Sequence, residues 1–170
     1  MEKLKDIDNL FEVDFRSQIR AREGLEKLHA EIKQCLLDEV VPEDIRTNFV
    51  SACNTLLYSW FAYAISTTAL IHAISTLEYA LKKRICIQNK KNLGLNKLLR
   101  QAEEKGLIHD GVFRHSFPEK TKRFIESISQ IRNELMHGTS FLTDQGQILP
   151  FFRNISEVIN CLFLEGKVEN

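Results

Sequence analysis

The sequence is poor in the residues that interrupt helices. It has three prolines, at positions 42, 118 and 150, and seven glycines among 170 residues. These residues fall mostly between stretches whose apolar side chains recur at three or four positions, so the pattern predicts an all-α chain. A chain of this length is about the size of one domain and can bury its own core. We therefore expect one compact all-helical unit.

Cysteine is also sparse, and its spacing is not that of a metal site. Four cysteines lie far apart, without a CxxC pair or a histidine at zinc-finger spacing: Cys35, Cys53, Cys86 and Cys161. We predict no structural metal. Each cysteine lies among apolar residues, which favours reduced core thiols in a cytoplasmic protein. The N-terminal segment MEKLKDIDNL carries acidic residues and no continuous apolar core, which argues against a signal peptide.

The sequence has no excess of either charge, since Lys plus Arg and Asp plus Glu both total 23. Overall charge therefore points neither to nucleic acid nor to a membrane surface. One local run differs, because seven basic residues occur between positions 80 and 100 without an acidic one: Lys82, Lys83, Arg84, Lys90, Lys91, Lys97 and Arg100. The first five are weak candidates for binding phosphate. The alternative is a solvated basic loop between two helices.

Residues 47 to 77 contain no Asp, Glu, Lys or Arg. This stretch is long enough to cross a bilayer, which leaves a membrane-associated helical protein as one alternative. It also carries serine, threonine, asparagine and histidine throughout, which a buried helix tolerates better than a lipid-exposed one. We expect a long central helix with protein on most sides, part of it supplied by a second copy of the chain, and no stable membrane insertion.

Local signals divide the chain into five predicted helices. A long N-terminal helix covers about 13 to 39, with a weak point at Gly24, and Pro42 starts a helix that nothing obvious breaks before about 87. A third helix covers about 95 to 105 and ends at Gly106. Ser116 and Glu119 have capping-box spacing for a fourth, which ends at 136 or 137 before Gly138. After the polar turn TDQGQ, a last helix runs from Pro150 to about 164.

The segment IRNELMHG, residues 131 to 138, holds the candidate catalytic residues Arg132, Asn133 and His137. In a helix, Asn133 and His137 share a face, whereas Arg132 lies 140° around the axis from His137. At a helix C-terminus the dipole favours a protonated imidazole. A proton-carrying histidine near a guanidinium suits acid/base work on a phosphodiester. The alternative is that these side chains only pair with carboxylates and with the last helical carbonyls.

A second arginine and histidine at similar spacing, Arg22 and His29, show how loose this pattern is by itself. They lie in REGLEKLH, which is typical of a plain amphipathic helix face. We interpret that pair as structural and use it as a comparison for Arg132 and His137.

The RNxxxHG pattern of residues 132 to 138 resembles the signature of the HEPN superfamily, whose ribonuclease members carry an arginine, four to six residues, and a histidine. AISTLEYALKKRI, residues 73 to 85, looks like the central HEPN helix with its glutamate, which suggests a supporting role for Glu78. LNKLLRQAEEKGLI, residues 95 to 108, is similar to the helix that usually follows. The resemblance covers about residues 45 to 165 and leaves 1 to 44 as an N-terminal helical extension.

The resemblance implies a HEPN-like helical bundle that acts as a homodimer and cleaves RNA without a metal or other cofactor. The ribose 2′-hydroxyl would be the nucleophile, Arg132 would neutralise the phosphate, His137 would move protons, and Asn133 would orient either. It also implies a toxin or antiviral effector in the cytoplasm, restrained by an antitoxin or another regulatory partner. The alternative is a non-catalytic HEPN-like module that binds nucleotide, RNA or a protein.

Overall fold

The computed structural model of the chain describes residues 4–20, 24–85, 93–113, 119–137 and 145–164. Within these ranges the chain forms helices and turns but no strand, which confirms the all-α prediction. The described helices are α1 Phe15–Arg20, α2 Gly24–Lys33, α3 Glu43–Tyr58, α4 Ile65–Arg84, α5 Leu95–Glu104, α6 Lys120–Met136 and α7 Gln145–Leu164. Short 3-10 turns at Ile7–Asn9 and Asp110–Val112 precede α1 and α6.

The prediction of one long helix over residues 13 to 39 is wrong. The structure has α1 and α2 there, and α2 already ends at Lys33. Gly24, the predicted weak point, has φ of 85°, a left-handed conformation that an ordinary helix interior does not contain. Because glycine has no Cβ, it adopts this conformation without the steric cost that other residues incur.

The helix predicted from Pro42 to about residue 87 is also two helices, although its start is confirmed. Pro42 directly precedes α3, whose first turn carries Glu43 and Asp44. The chain then turns between α3 and α4, at residues 59–64. The side chains of Trp60 and Tyr63 are buried in this turn, so tertiary packing holds the chain out of a continuous helix.

The N-terminal segment satisfies the polar groups of the α3–α4 turn. The Asp14 N–H donates to the Trp60 carbonyl at 3.1 Å, and the Asp14 carboxylate accepts from the Tyr63 N–H at 3.2 Å. The Ser17 hydroxyl donates to the Ser59 carbonyl at 3.2 Å. These bonds join positions more than 40 residues apart, so nothing in the local sequence announces them.

A polar cluster at the opposite end shows that α3 and α4 are antiparallel. Near the start of α3, Asp44 accepts a hydrogen bond from the Tyr79 hydroxyl, and both its oxygens lie 2.8 Å from Lys83 Nζ. Tyr79 and Lys83 belong to the last turns of α4. The hydrogen bond from Lys83, followed by the one from Tyr79, lowers the pKa of Asp44 to about 2.

Helix α4 is the central element, since it contacts α3, α5, α6 and α7. It shares one hydrophobic core with apolar side chains from the helices around it: Phe49, Leu98, Ile128, Phe152 and Ile155. The prediction of a central helix surrounded by protein is correct, but that helix is shorter than predicted. It has 20 residues, whereas the predicted helix ran from Pro42 to about residue 87. Among the described residues, no helix is both long and apolar enough to cross a bilayer.

One chain buries most of the apolar side chains that we expected a second copy to cover. Phe49, Leu56, Leu70 and Leu77 are all fully buried within the chain. Among the large apolar side chains of residues 49 to 81, Val50, Tyr58 and Tyr79 are the exposed ones. The premise that a single chain would expose the apolar side chains of this stretch is therefore wrong for most of them, because they pack into the core of the same chain.

The end of α5 follows its prediction. Gly106 has φ of 70°, and the Leu107 N–H donates to the Ala102 carbonyl at 2.9 Å. Such a bond across a left-handed glycine is typical of a Schellman-type helix end. A glycine in the right place therefore predicted this boundary correctly.

The start of α6 differs from the predicted capping box. Glu119 has φ of 54°, stands just before the helix and makes no side-chain capping bond, while Ser116 lies outside the described residues. Asp110 supplies the cap instead, because its carboxylate accepts from the N–H and the hydroxyl of Thr121, both at 2.8 Å. These bonds, the one from the backbone first, lower the pKa of Asp110.

Helix α7 begins at Gln145, five residues before the predicted start at Pro150. Part of the predicted TDQGQ turn is thus helical. Pro150 lies inside the helix, where it has no N–H to donate to the Gly146 carbonyl. Because Pro150 is close to the start of α7, the missing hydrogen bond affects only the first turns of the helix. Proline was therefore not the boundary of this helix.

Two of the cysteines are core thiols, as predicted. Cys35 and Cys53 are buried, and Cys161 is half-buried with its Sγ 3.5 Å from the Leu107 carbonyl. Burial raises the pKa of the Cys53 thiol to about 12, which makes it a poor nucleophile. Cys86 lies outside the described residues.

Candidate functional site

The three candidate catalytic residues lie at the C-terminal end of α6. Arg132 and Asn133 belong to its last turns, and His137 directly follows the helix, with its N–H donating to the Asn133 carbonyl at 3.1 Å. Arg132 is half-buried, whereas Asn133 and His137 are exposed. The predicted placement of a histidine at a helix C-terminus is confirmed, while Gly138 lies outside the described residues.

Arg132 and Asn133 line a cavity between α6 and the start of α5. We call it the polar cavity. It has a volume of about 270 Å³, and its described lining is Gly94, Leu95, Asn96, Lys97, Ser129, Arg132 and Asn133. The lining brings two basic side chains, two amides and a hydroxyl together, and none of these described residues is acidic. The polar cavity is therefore suited to an anion.

The start of α5 adds the positive end of a helix to the polar cavity. Gly94 precedes α5 and provides no side-chain cap, and the first turn has no acidic residue. The first helical bond runs from the Leu98 N–H to the Gly94 carbonyl. The N–H groups of residues 95 to 97 therefore have no acceptor within the helix, and such groups attract phosphate and carboxylate oxygens.

Hydrogen bonds fix the amide side of the polar cavity. Asn96 Nδ2 donates to the Ser129 hydroxyl at 3.1 Å, which ties α5 to α6. Arg100 Nε donates to Asn96 Oδ1 at 3.2 Å, which sets the orientation of the amide. Sequence reasoning did not single out Asn96 or Ser129 because their proximity is tertiary, though an uncapped helix start within a basic run was a usable signal.

Arg132 also borders a second, smaller depression between α4 and α6. This α4–α6 groove has a volume of about 60 Å³, and its described lining is Ile71, Ile74, Ser75, Glu78, Arg132, Leu135 and Met136. The carboxylate of Glu78 already accepts a hydrogen bond from Lys82 Nζ at 2.6 Å. In the described part of the chain the Arg132 guanidinium has no hydrogen bond or ion pair, so its charge is open to a ligand.

The basic run of α4 does not form one surface. Lys82 pairs with Glu78 on α4, Lys83 with Asp44 on α3, and Arg84 Nε donates to the Leu162 carbonyl of α7 at 2.6 Å. Successive helix positions differ by about 100°, so adjacent charges point in different directions. Lys90 and Lys91 lie outside the described residues, and Lys97 is the basic residue of the run that shares the polar cavity with Arg132.

The other histidines that the structure describes occupy structural or surface positions. His109 Nδ1 accepts from the Gly111 N–H at 3.1 Å and so caps a short 3-10 turn. His72 is half-buried on α4, and His29 is exposed on α2. His115 and Arg22, the partner predicted for His29, lie outside the described residues.

Comparison with protein-family models, with curated proteins and with solved structures found no match to this chain. The HEPN resemblance therefore stands on the residues of the motif and on the two neighbouring segments alone.

Proposed function

We propose that this protein is a HEPN-like endoribonuclease that acts as a homodimer and needs no metal. The observation that carries the proposal is the polar cavity, where Arg132, Asn133 and Lys97 meet the uncapped start of α5. A phosphodiester is the anion that this set of donors suits best, because it offers two oxygens to several N–H groups at once. His137 follows on the same helix and supplies the acid/base group.

The reaction that fits these residues uses the nucleophile of the RNA itself. A histidine takes the proton of the ribose 2′-hydroxyl, and the 2′-oxygen forms a bond to phosphorus while the bond from phosphorus to the 5′-oxygen breaks. A protonated histidine returns a proton to that leaving oxygen. Arg132 stabilises the extra negative charge on the phosphorus oxygens, and Asn133 orients the phosphate or the imidazole. The products are a 2′,3′-cyclic phosphate and a 5′-hydroxyl.

We include a homodimer in the proposal because one chain does not bring all three candidate catalytic residues to one face of α6. Asn133 and His137 share a face of α6, whereas Arg132 lies 140° from His137 and reaches toward α4 and α5. A second copy placed across this end of α6 would bring its own histidine to the phosphate held by Arg132. Met136, which is 58 % exposed beside Arg132, offers apolar surface for such a contact.

The separation of Arg132 from His137 also favours a second candidate function. In this alternative the protein is a non-catalytic HEPN-like module that binds RNA or nucleotide. In this alternative the polar cavity holds a phosphate, and His137 remains a surface side chain. Both candidates require Arg132 and Lys97 for binding, but only the nuclease requires His137 for turnover.

The proposed biological role is that of a toxin or defence effector. Cleavage of RNA arrests or kills the producing cell, and an antitoxin or another regulator controls the activity.

A cleavage assay on His137→Ala tests the enzyme proposal. Loss of general acid/base help costs about 10²- to 10⁴-fold in rate, so cutting of a labelled RNA should fall by that factor while RNA binding persists. His29→Ala is the matched control, because it removes an exposed histidine of the comparison pair. RNA binding without any cleavage by the wild-type protein would leave the binding module as the better account, and wild-type cleavage by His137→Ala would remove His137 from the proposed mechanism.

Substrate and metal dependence give the same assay a second readout. A single 2′-deoxy sugar on the 5′ side of the cut should stop cleavage at that bond, and excess chelator should leave cleavage unchanged. Cleavage that continues past the deoxy sugar, or that chelator abolishes and magnesium restores, would assign the protein to another nuclease mechanism.

A further inference from the structure

A second cavity lies on the other side of α6, where the first half of that helix packs near α7. We call it the α6–α7 cavity. Its volume is about 290 Å³, close to the lower end of small-molecule sites in proteins. Its described lining is mostly apolar, to a greater extent than that of the polar cavity, with a few charged side chains at the rim.

The floor of the α6–α7 cavity is aromatic. Phe113 and Phe124 are buried, with ring centroids 5.4 Å apart and planes tilted by 47°. Phe151 of α7 lines the cavity and is half-buried, and Pro150 lies beside it. A planar aromatic ring has the shape and polarisability to pack on such a floor, through offset or edge-to-face contacts.

The rim of the α6–α7 cavity carries three basic side chains, those of Lys120, Arg123 and Arg153, and the acidic side chain of Glu157. Lys120 Nζ donates to the Phe113 carbonyl at 2.8 Å, and Arg153 lies 3.4 Å from a Glu31 carboxylate oxygen. These two are already engaged with the protein.

Arg123 differs from the other two basic side chains of the rim. It is exposed, and its guanidinium has no hydrogen bond or ion pair with the described part of the chain. It is therefore placed to receive an anion at the mouth of an aromatic cavity. Among the described residues of the rim, three basic side chains stand against Glu157, so their net charge is positive.

The α6–α7 cavity is separate from the polar cavity, although both use α6. Positions 120, 123, 124 and 127 line the former, and positions 129, 132 and 133 line the latter. At 100° per residue, the mean directions of these two sets differ by roughly 175° around the helix axis. A ligand in the α6–α7 cavity would thus lie on the opposite flank of α6 from Arg132.

We propose that the α6–α7 cavity binds a small planar aromatic molecule that carries an anionic group. The ring packs against Phe113, Phe124 and Phe151, and the anion meets Arg123. This binding function goes beyond the ribonuclease and does not depend on it, because none of the described lining residues of this cavity belongs to the Arg132 motif.

Isothermal titration of the 170-residue chain with 2-naphthoate tests the proposal. A ligand of this size should bind with a dissociation constant on the order of 100 μM. The neutral isostere 2-naphthamide should bind about tenfold more weakly, because it cannot form the charged contact with Arg123. Arg123→Glu should weaken naphthoate binding by at least about the same factor, and Ser127→Trp, which fills the cavity mouth, should abolish it.

Two variants serve as controls. Lys105→Glu makes the same charge change at an exposed residue away from this cavity and should leave naphthoate binding at the wild-type level. Arg132→Ala should also bind normally, which separates this site from the proposed ribonuclease site. Absence of binding at 1 mM naphthoate, equal binding of the amide, or wild-type binding by Arg123→Glu in a protein with unchanged circular dichroism would each overturn the proposal.

Discussion

Lys97 differs from the three basic residues at the end of α4 because it lines the polar cavity. Lys82, Lys83 and Arg84 each have a partner within the protein, whereas Lys97 stands in the uncapped first turn of α5 beside Arg132. A lysine in this position is expected to contact a phosphate of the bound RNA.

Lys97→Ala should therefore weaken RNA binding several-fold and lower the slope of binding against salt by about one. The measurement is fluorescence anisotropy with a short RNA at several salt concentrations, in a His137→Ala background so that the RNA stays intact. Lys105→Ala, at the other end of α5, is the matched control and should bind as its parent does. Equal weakening by both variants would mean that the polar cavity has no special part in binding.

Part of the site is visible in the sequence because its residues are local. Arg132, Asn133 and His137 lie within six positions, and helix periodicity alone gives their relative directions. Asn96 and Ser129 are 33 positions apart and meet only in the folded chain. A single sequence supplies no signal for such a pair, so the contact between α5 and α6 beside Arg132 could not be predicted, although the basic, uncapped start of α5 was visible.

At the scale of the helices, the Asp14 cluster holds the α3–α4 turn in place. The Asp14 carboxylate accepts from Arg16 at 2.7 and 2.9 Å and from the Tyr63 N–H, and the Arg16 guanidinium lies 4.8 Å from the centre of the Tyr63 ring. The pKa of Asp14 is lowered from its ordinary value of 3.8 to about 2, and the largest cause is the hydrogen bond from the Arg16 side chain. Burial of the carboxyl acts in the opposite direction and raises the pKa.

This shift makes a prediction about stability at low pH. A carboxyl whose pKa is lower in the folded state stabilises the fold above its unfolded pKa, and the benefit is lost as pH falls through the folded pKa. The free energy of unfolding should therefore drop between about pH 4 and pH 2, by up to about 2 kcal/mol from this group. Denaturant unfolding of wild type and Asp14→Asn at steps across that range measures it.

Asp14→Asn should be less stable than wild type at pH 6, and the two should converge near pH 2. Arg16→Gln, which removes the largest cause of the shift, should move the loss of stability to higher pH. Parallel pH profiles for wild type and Asp14→Asn would show that Asp14 does not couple protonation to folding.

The helix boundaries that were predicted well depend on local groups, and those that were missed depend on distant ones. Gly106 ends α5 through bonds to residues three to five positions away. The α3–α4 turn instead depends on Asp14 and Ser17, which come from another part of the chain. Apolar periodicity continues across that turn, so residues 42 to 87 look like one helix until the N-terminal segment is in place.

At the scale of the whole molecule, the proposed dimer is inferred from the candidate site rather than from the amount of exposed apolar surface. One chain buries its own central helix, as the fully buried Leu70 and Leu77 of α4 illustrate. Helix geometry separates positions 132 and 137 by about 140° around the axis of α6, so one chain does not bring Arg132 and His137 to the same face. A two-fold symmetric pair would place the same surface of each copy against the other and bring the two sets of residues together.

Mixing two inactive variants provides the sharpest test of this dimer. Arg132→Ala and His137→Ala should each give a light-scattering mass of twice the chain mass of 19.7 kDa and cut RNA poorly. After exchange of subunits, half of the dimers are mixed, and each mixed dimer keeps one arginine and one histidine on different chains. Cleavage should then return to about a quarter of the wild-type rate, because one of the two arginine–histidine combinations is intact in half of the dimers.

A mixture of His137→Ala with His137→Asn is the matched control and should stay inactive. No recovery in a mixture with confirmed exchange, or full wild-type activity in a monomer, would place the complete site within one chain and remove the reason for a composite cleft.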